Sequence, residues 1–231
     1  MIRALLWKEY RVNRVVLMYA GAALFGPYVL LVLRNLYAAW TDGLPAWWPK
    51  IWWMVATLSL ILSLFTAAML GGNSVAGERA DRSAEFMATL PPSRGNRITA
   101  KAVFTVGILL FIWAVNLIAL YVIARHAPEQ PFQGSEFSDD NAGQMVAVLA
   151  VSTAIAFGAS WFVSCVASSH ALAGAAGIGA PVLVACFIMA AQHLLNFGED
   201  AFTAIYITSC ASLGVIGFVG GITYYVRRVE P

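Results

Sequence analysis

A long uncharged run limits the possible folds of this chain more than any other part of its sequence. No Asp, Glu, Lys or Arg occurs from Asn141 to Gly198. A helix that crosses a bilayer needs roughly 20 apolar residues, so this run is too long for a single crossing. We therefore divide it at Ser168–His170, its most polar point, into two predicted spans. A transmembrane barrel would instead show short segments of alternating hydrophobicity.

Apolar segments of similar length occur elsewhere in the chain. Its residues are 60% hydrophobic and 11% charged, whereas a soluble domain is about 25% charged. These values predict an all-α integral membrane protein, in which one six-span transmembrane domain occupies residues 15–231. The predicted spans are Val15–Leu33, Ile51–Gly72, Ala102–Ala124, Gly143–Ala167, Ala171–Leu195 and Ala201–Val226.

Lysine and arginine are unevenly distributed over the connections between these spans. Of the 14 such residues, all but Arg34, Lys50 and Arg125 lie at the ends of the chain or in the even-numbered connections. Because positive residues concentrate on the cytoplasmic side, both ends and the loop 73–101 are predicted to be cytoplasmic. The expected location is a bacterial-type plasma membrane. No cleavable signal peptide is expected, since no short apolar core with a cleavage site follows the basic N-terminus.

Residues 1–14 are predicted to form an amphipathic interfacial helix, with its basic side toward anionic headgroups. Glu9 lies in the middle of the apolar side and does not fit this pattern. It belongs either to a frayed, solvated end or to a salt bridge with a basic residue of the segment Gly71–Ala102. The apolar side is Ile2, Leu5, Leu6, Tyr10 and Val12, and the basic side is Arg3, Lys8, Arg11 and Arg14.

A charged segment, residues 73–101, separates the second and third predicted spans. Ser83 is predicted to begin a short helix that ends before Pro91, with Phe86 and Leu90 on one face. A further helical run begins at Ser93 and leads into the third span. The short helix could insert an apolar knob into a groove on a soluble partner. The alternative is a solvated turn whose apolar side chains rest on lipid.

Motifs for enzymatic chemistry are absent from the sequence. It contains neither a G-x-x-x-x-G-K-[ST] phosphate loop nor an H-E-x-x-H zinc motif. The three cysteines, Cys165, Cys186 and Cys210, all fall within predicted spans, so no extracytoplasmic disulfide framework is expected. We therefore expect no catalytic site, no metal and no cofactor in this chain. A membrane-embedded enzyme remains an alternative function.

The segment GERADRSAEFMATLPPSRGNRITAKA resembles the first cytoplasmic loop of the ABC-2 type transporter permeases. In addition, the N-terminal LLWKEYR resembles that family's membrane-surface helix, which carries a Lys-Glu pair. One departure is Ser83, which stands where the family usually has glycine. The positions that carry the resemblance in the loop are Glu78, Arg79, Ser83, Glu85, Phe86, Met87, Leu90, Pro91, Ser93, Arg94 and Lys101.

This resemblance implies the membrane-spanning subunit of an ATP-driven exporter. Two permease chains, identical or sister, would pair with two separate ATPase subunits that bind ATP and magnesium, and the chain itself would have no ATPase site. The coupling helix Ser83–Leu90 would lie in a groove on the ATPase. The implied coupling residues are Glu78, Arg79, Ser83, Glu85, Phe86, Met87, Leu90, Pro91, Arg94 and Lys101. A second, smaller contact would come from Glu9, Ser168, Ser169 and His170.

The other expected partners are membrane lipids, and no nucleic acid is expected. The scarcity of intramembrane charge favours lipids, amphipathic peptides or hydrophobic drugs as substrates over small ions. A second class of function is a non-transporting scaffold or assembly factor that recruits a cytoplasmic protein through the loop 73–101.

Overall fold

The computed structural model describes residues 2–41, 48–80, 93–126 and 139–228. Within these ranges the chain forms seven α-helices and no β-strand. The predicted coupling helix over residues 83–90 lies outside them. The helices are α1 Ile2–Val12, α2 Arg14–Thr41, α3 Trp48–Ala80, α4 Arg94–His126, α5 Asp139–Val166, α6 His170–Leu195 and α7 Glu199–Arg228.

Six of these helices, α2 to α7, are long and apolar enough to cross a membrane. Each coincides with one of the six predicted segments, which confirms an all-helical, multi-pass architecture. Many large apolar side chains on the outer surface are exposed, including Leu110, Leu183 and Phe187. In a bilayer such side chains face lipid. The candidate spans are Arg14–Arg34, Met54–Glu78, Gly95–Val122, Gly143–Val166, His170–Leu195 and Glu199–Arg227.

The division of the long uncharged run is confirmed. Helix α5 ends at Val166 and α6 begins at His170. Ser169 is the N-cap of α6, and its hydroxyl accepts a hydrogen bond from the Leu172 N–H at 3.3 Å. A serine at this position satisfies one of the N–H groups that have no partner within the helix.

Helices α3 and α4 extend further than the predicted spans. Helix α3 continues past Gly72 to Ala80. Helix α4 begins at Arg94, which confirms the helical run that was predicted to lead from Ser93 into the third span. At the start of α4 the Ser93 hydroxyl accepts a hydrogen bond from the Asn96 N–H at 3.3 Å. The charged residues on either side of 81–92 therefore belong to continuous helices.

Helix α5 lies at the centre of the bundle and packs most extensively against α7 and α3. The α5–α7 contact depends on glycine. A Cβ atom on Gly158 would overlap the Gly214 carbonyl oxygen, and one on Gly214 would lie 2.9 Å from the Ala154 carbonyl oxygen. Small residues allow such close backbone approach between membrane helices.

Helix α6 begins with a series rich in glycine and alanine, ALAGAAGIGA (residues 171–180), which also packs closely within the chain. A Cβ on Gly177 would lie 2.6 Å from the carbonyl oxygen of Ala156 in α5 and 2.9 Å from the Cβ of Ala68 in α3. This series therefore packs against the chain's own helices.

One end of the bundle gathers four separate parts of the chain. Val75 near the end of α3, Ile98 near the start of α4, Cys165 at the end of α5 and Tyr225 near the end of α7 belong to one buried cluster. Helix α1 packs against α4 at the same end, where Leu5 meets Ala100. This end therefore holds α1, the α5–α6 turn and both helix ends that flank residues 81–92.

Candidate functional site

A buried ionic cluster lies at this end of the bundle. The Nζ atom of Lys101 is 3.0 Å from Oε1 of Glu9 and 3.0 Å from Oε1 of Glu78. Lys8 forms a further ion pair with Glu78. Lys101, Glu9 and Glu78 are only 2%, 5% and 7% exposed. Charges removed from water are tolerated in a protein when they are paired and hydrogen-bonded, and each charge of this cluster has an opposite partner.

The spacing of residues along α1 and α4 explains why these charges meet. The buried side of α1 carries Leu5 and Glu9, which are four residues apart. Asn13, four residues after Glu9 and just beyond the end of the helix, is buried on the same side. On α4, Lys101 and Thr105 are four residues apart and also buried. Because Leu5 packs against Ala100, Glu9 one turn later comes opposite Lys101.

Lys101 also binds the main chain of α3. Its ammonium group donates to the Ser74 carbonyl oxygen at 2.7 Å, in addition to Glu9 and Glu78. An ammonium group has three N–H donors, so these three partners saturate it. Lys101 on α4 is thereby bonded to α1 through Glu9, and to α3 through Glu78 and the Ser74 carbonyl group.

Two asparagines extend the polar network between α1 and α3. The Asn13 side chain donates to the Glu9 carbonyl oxygen at 3.0 Å. The Asn73 side chain donates to Asn13 Oδ1 at 2.9 Å. These bonds are directional, so they orient α1 on α3 as well as holding it there.

The cluster contains two ammonium groups and two carboxylates, so its charges balance. It joins α1 to both of the helices that the segment 81–92 connects. Among the residues that the structure describes, no group of three or more His, Cys, Asp or Glu is placed to hold a metal ion.

Three of the residues singled out from the sequence, Glu9, Glu78 and Lys101, come together in this cluster. The salt bridge from Glu9 to the charged segment is confirmed, and the frayed-end alternative for Glu9 is wrong, because Glu9 is buried in a regular helix. Ser168, Ser169 and His170 are exposed in the α5–α6 turn at the same end of the bundle.

The side chains of the remaining predicted site residues lie outside the described part of the chain. The short helix of residues 83–90 and Pro91 lie outside the described ranges. Arg79 and Arg94 lie in α3 and α4, but their side chains are outside the described part of the chain.

The apolar side predicted for α1 is partly buried against the protein and partly exposed. Leu5 is buried against α4, whereas Tyr10 and Val12 are each 45% exposed. The ring of Tyr10 stacks on Trp7 at a centroid distance of 5.5 Å. The basic residues Arg3 and Arg11 are exposed. Part of the side expected to rest on lipid is therefore a contact with the protein itself.

Sequence reasoning missed several members of the network. Lys8 was placed on the basic side of α1 without a partner. Asn13 follows Glu9 by four residues, a spacing that could have indicated a shared face. Asn73 and Ser74 carried no signal, because their roles depend on contacts between distant helices.

A comparison with models of known protein families finds no match for this sequence. A comparison with curated proteins finds no match either.

Proposed function

We propose that this chain is the permease subunit of an ABC-2 type exporter, and that separate ATPase subunits drive it. The observation that carries the proposal is the buried ionic cluster. It joins α1 to the ends of α3 and α4, the two helices connected by the segment whose sequence resembles the coupling loop of that family.

In this proposal the residues of the charged segment divide into two groups. Glu78 and Lys101 are buried in contacts within the chain, so they carry displacement inward. Direct contact with the ATPase falls to the coupling helix Ser83–Leu90 and to the residues beside it. Phe86 and Leu90 form the apolar anchor, supported by Met87 and Pro91, and the polar contacts come from Arg79, Ser83, Glu85 and Arg94.

The proposed mechanism begins with closure of the ATPase pair on ATP. Closure pushes the coupling helix Ser83–Leu90. Because this helix belongs to the segment 81–92 that connects α3 to α4, the push moves the ends of both helices. Because the ionic cluster is buried and all three N–H donors of Lys101 have partners, these ends and α1 move together. The exposed α5–α6 turn, Ser168–His170, supplies a second contact at the same end. This motion changes the permease between inward-facing and outward-facing states.

The proposed arrangement in the membrane follows from the distribution of charge. Both ends of the chain, the segment 81–92 and the α5–α6 turn lie in the cytoplasm, on the inner side of a bacterial-type plasma membrane. The exposed arginines of α1 face anionic headgroups, so α1 lies at the membrane surface as an interfacial helix.

Transport would follow a path between two permease chains, identical or sister. Substrates would be lipids, amphipathic peptides or hydrophobic drugs, because the described spans carry their charges only near their ends. ATP and magnesium would be bound by the ATPase subunits. This chain would contribute no catalytic residue and would bind no nucleic acid.

The test is a native affinity purification of the tagged chain from membranes in mild detergent. We expect a stoichiometric subunit that carries a Walker A sequence, and we expect Phe86→Asp to abolish its recovery while the chain itself still inserts. Recovery of the chain alone would overturn the proposal. Recovery with a partner that has no ATPase motif would favour the scaffold function instead.

A further inference from the structure

The side of α1 that faces away from the bundle carries both arginines and aromatic rings. Arg3, Trp7 and Tyr10 follow one another at intervals of four and three residues, so they share one face of the helix. Arg11 follows Trp7 by four residues and lies on the same face. All four side chains are exposed, and they lie opposite the side that carries Glu9. These four residues form the outer face of α1.

The outer face of α1 is positively charged. Among the side chains that the structure describes at this end of the bundle, the carboxylates are those of Glu9 and Glu78, and both are buried in the ionic cluster. The guanidinium groups of Arg3 and Arg11 therefore attract an anionic partner. Guanidinium groups are especially suited to phosphate, because they bind two of its oxygens through parallel hydrogen bonds.

The contacts of α1 set its level relative to the membrane-spanning helices. Leu5 packs against Ala100, and Glu9 binds Lys101, the next residue of α4. Lys101 is the last charged residue before the uncharged part of α4. Glu78, which binds the same lysine, is the first charged residue after the uncharged part of α3. Because uncharged spans end where hydrocarbon meets the headgroups, these contacts place α1 at the level of the headgroups.

The aromatic rings of the outer face are suited to this level. The rings of Trp7 and Tyr10 stack on each other, yet their side chains remain 66% and 45% exposed. Tryptophan and tyrosine concentrate at the headgroups because each combines an apolar ring with a polar group. An acidic protein surface would also attract the two arginines. The level of α1 and its exposed rings together favour a lipid surface.

We propose that the outer face of α1 binds the phosphate groups of anionic phospholipids, and that this binding stabilises the ionic cluster. Lys8 and Glu9 belong to the same short helix as the outer face, so a lipid that holds α1 in place also holds them against Glu78 and Lys101. A ligand that binds only the folded arrangement shifts the equilibrium toward it. The inference adds a regulatory ligand to the proposed permease, but it depends only on the membrane-spanning fold and not on the exporter function.

The experiment measures amide hydrogen exchange of the full chain in lipid nanodiscs of two compositions. One contains phosphatidylcholine alone, and the other contains an equal mixture of phosphatidylcholine and the anionic phosphatidylglycerol. We expect α1 and residues 73–80 at the end of α3 to exchange at least about five-fold more slowly in the anionic nanodisc, because one basic residue near an anionic surface contributes about this factor to binding. Peptides from the middle of α6 should exchange at the same rate in both.

The double variant Arg3→Gln, Arg11→Gln should remove most of the difference between the two nanodiscs in both segments. The matched control is Arg34→Gln, Arg125→Gln, which removes two exposed arginines at the opposite end of the bundle. It changes the net charge by the same amount but should keep the full difference. Arg3→Lys, Arg11→Lys keeps the charge but loses the parallel hydrogen bonds of guanidinium, so an intermediate difference is expected.

Equal exchange of α1 in the two nanodiscs would overturn the lipid site, and so would a control variant that loses the difference as fully as Arg3→Gln, Arg11→Gln. Slower exchange of α1 without a change in residues 73–80 would overturn the effect on the ionic cluster. Protection of α1 that occurs in native membranes but in neither nanodisc would assign the outer face to a protein partner instead. None of these results depends on recovery of an ATPase subunit, so they are distinguishable from failure of the proposed function.

Discussion

Lys101 Nζ lies 3.0 Å from Glu9 Oε1, which joins two residues that are 92 positions apart in the sequence. Both side chains are almost completely removed from solvent. This pair connects α1 to α4, and Glu78 extends the connection to α3. Because buried charges depend on their partners far more than exposed ones do, the stability of this end of the bundle should be sensitive to single substitutions.

Replacing Lys101 with methionine should strongly destabilise the chain. Lys101→Met leaves the Glu9 carboxylate buried without a cation, and the expected loss in the free energy of unfolding is about 3–5 kcal/mol. Denaturant titration in detergent measures it. The control is Arg125→Met at the exposed opposite end of the same helix, for which a change within about 0.5 kcal/mol is expected. Equal effects of the two variants would contradict the assignment of the cluster.

Neutralising both members of the pair should restore stability. In the double variant Glu9→Gln, Lys101→Met, no unpaired charge remains on either residue. Replacing both partners of a buried ion pair is often neutral, so most of the loss seen with Lys101→Met should be recovered. The same denaturant titration checks this outcome. A double variant that is less stable than Lys101→Met alone would show that the pair is not the source of the effect.

Lys8 should contribute less than Lys101, and its contribution should depend on salt. Its side chain is 27% exposed, against 2% for Lys101. We expect Lys8→Met to cost less than about 1 kcal/mol. Raising the salt concentration from about 0.1 M to about 1 M should reduce this cost and leave that of Lys101→Met nearly unchanged. The comparison needs unfolding midpoints of both variants at the two salt concentrations, and identical salt dependence would contradict it.

Gly158 should not tolerate a methyl group. A Cβ at this position overlaps the Gly214 carbonyl oxygen, so Gly158→Ala must separate α5 from α7. The expected loss is about 1–3 kcal/mol, in the range for an overpacked core. Gly107→Ala is the matched control, since its Cβ would meet nothing within 4 Å. It should be neutral or stabilising by up to about 1 kcal/mol. Thermal unfolding in detergent separates the two.

The hydrogen bond between Tyr28 and Asn116 should contribute modestly to the packing of α2 on α4. The Tyr28 hydroxyl donates to Asn116 Oδ1 at 3.0 Å, and Asn116 is fully buried. Tyr28→Phe should cost about 0.6 kcal/mol, and at most about 1.7 kcal/mol, the range for hydrogen bonds between membrane helices. Tyr19→Phe, at an exposed position of the same helix, should have no measurable effect on the unfolding midpoint. A loss as large as that of Lys101→Met would contradict this ranking.

The location of the six spans was predictable from the sequence because it depends on local composition. The length of each apolar segment is set by the thickness of a bilayer, and the charged residues mark its limits. The break near Ser169 was predictable for a similar reason, since a serine cap and an uncharged polar turn are local signals.

The candidate site was only partly predictable. Because Glu9 lies on the apolar side of α1, a salt bridge to the charged segment was one of two open interpretations, and that segment offered several cations. The choice of Lys101 depends on Leu5 packing against Ala100, which no local pattern records. The insertion of Ser164 between the N–H groups of Val75 and Ala76 had no signal in the sequence, because a buried serine within an apolar helix usually bonds to its own helix.

Local sequence is sufficient to predict that this chain forms long apolar helices, how many of them it forms and which residues lie outside the lipid. These properties follow from side-chain hydrophobicity and backbone hydrogen bonding, which act over neighbouring residues. The packing of the helices sets which charges pair, places α1 against α4, and brings Ser164 and Lys101 to the main chain of α3. Such contacts join residues that are distant in the sequence, for example Ser74 and Lys101, which are 27 positions apart, and Glu9 and Lys101, which are 92 positions apart. They exist only once helix packing brings those residues together.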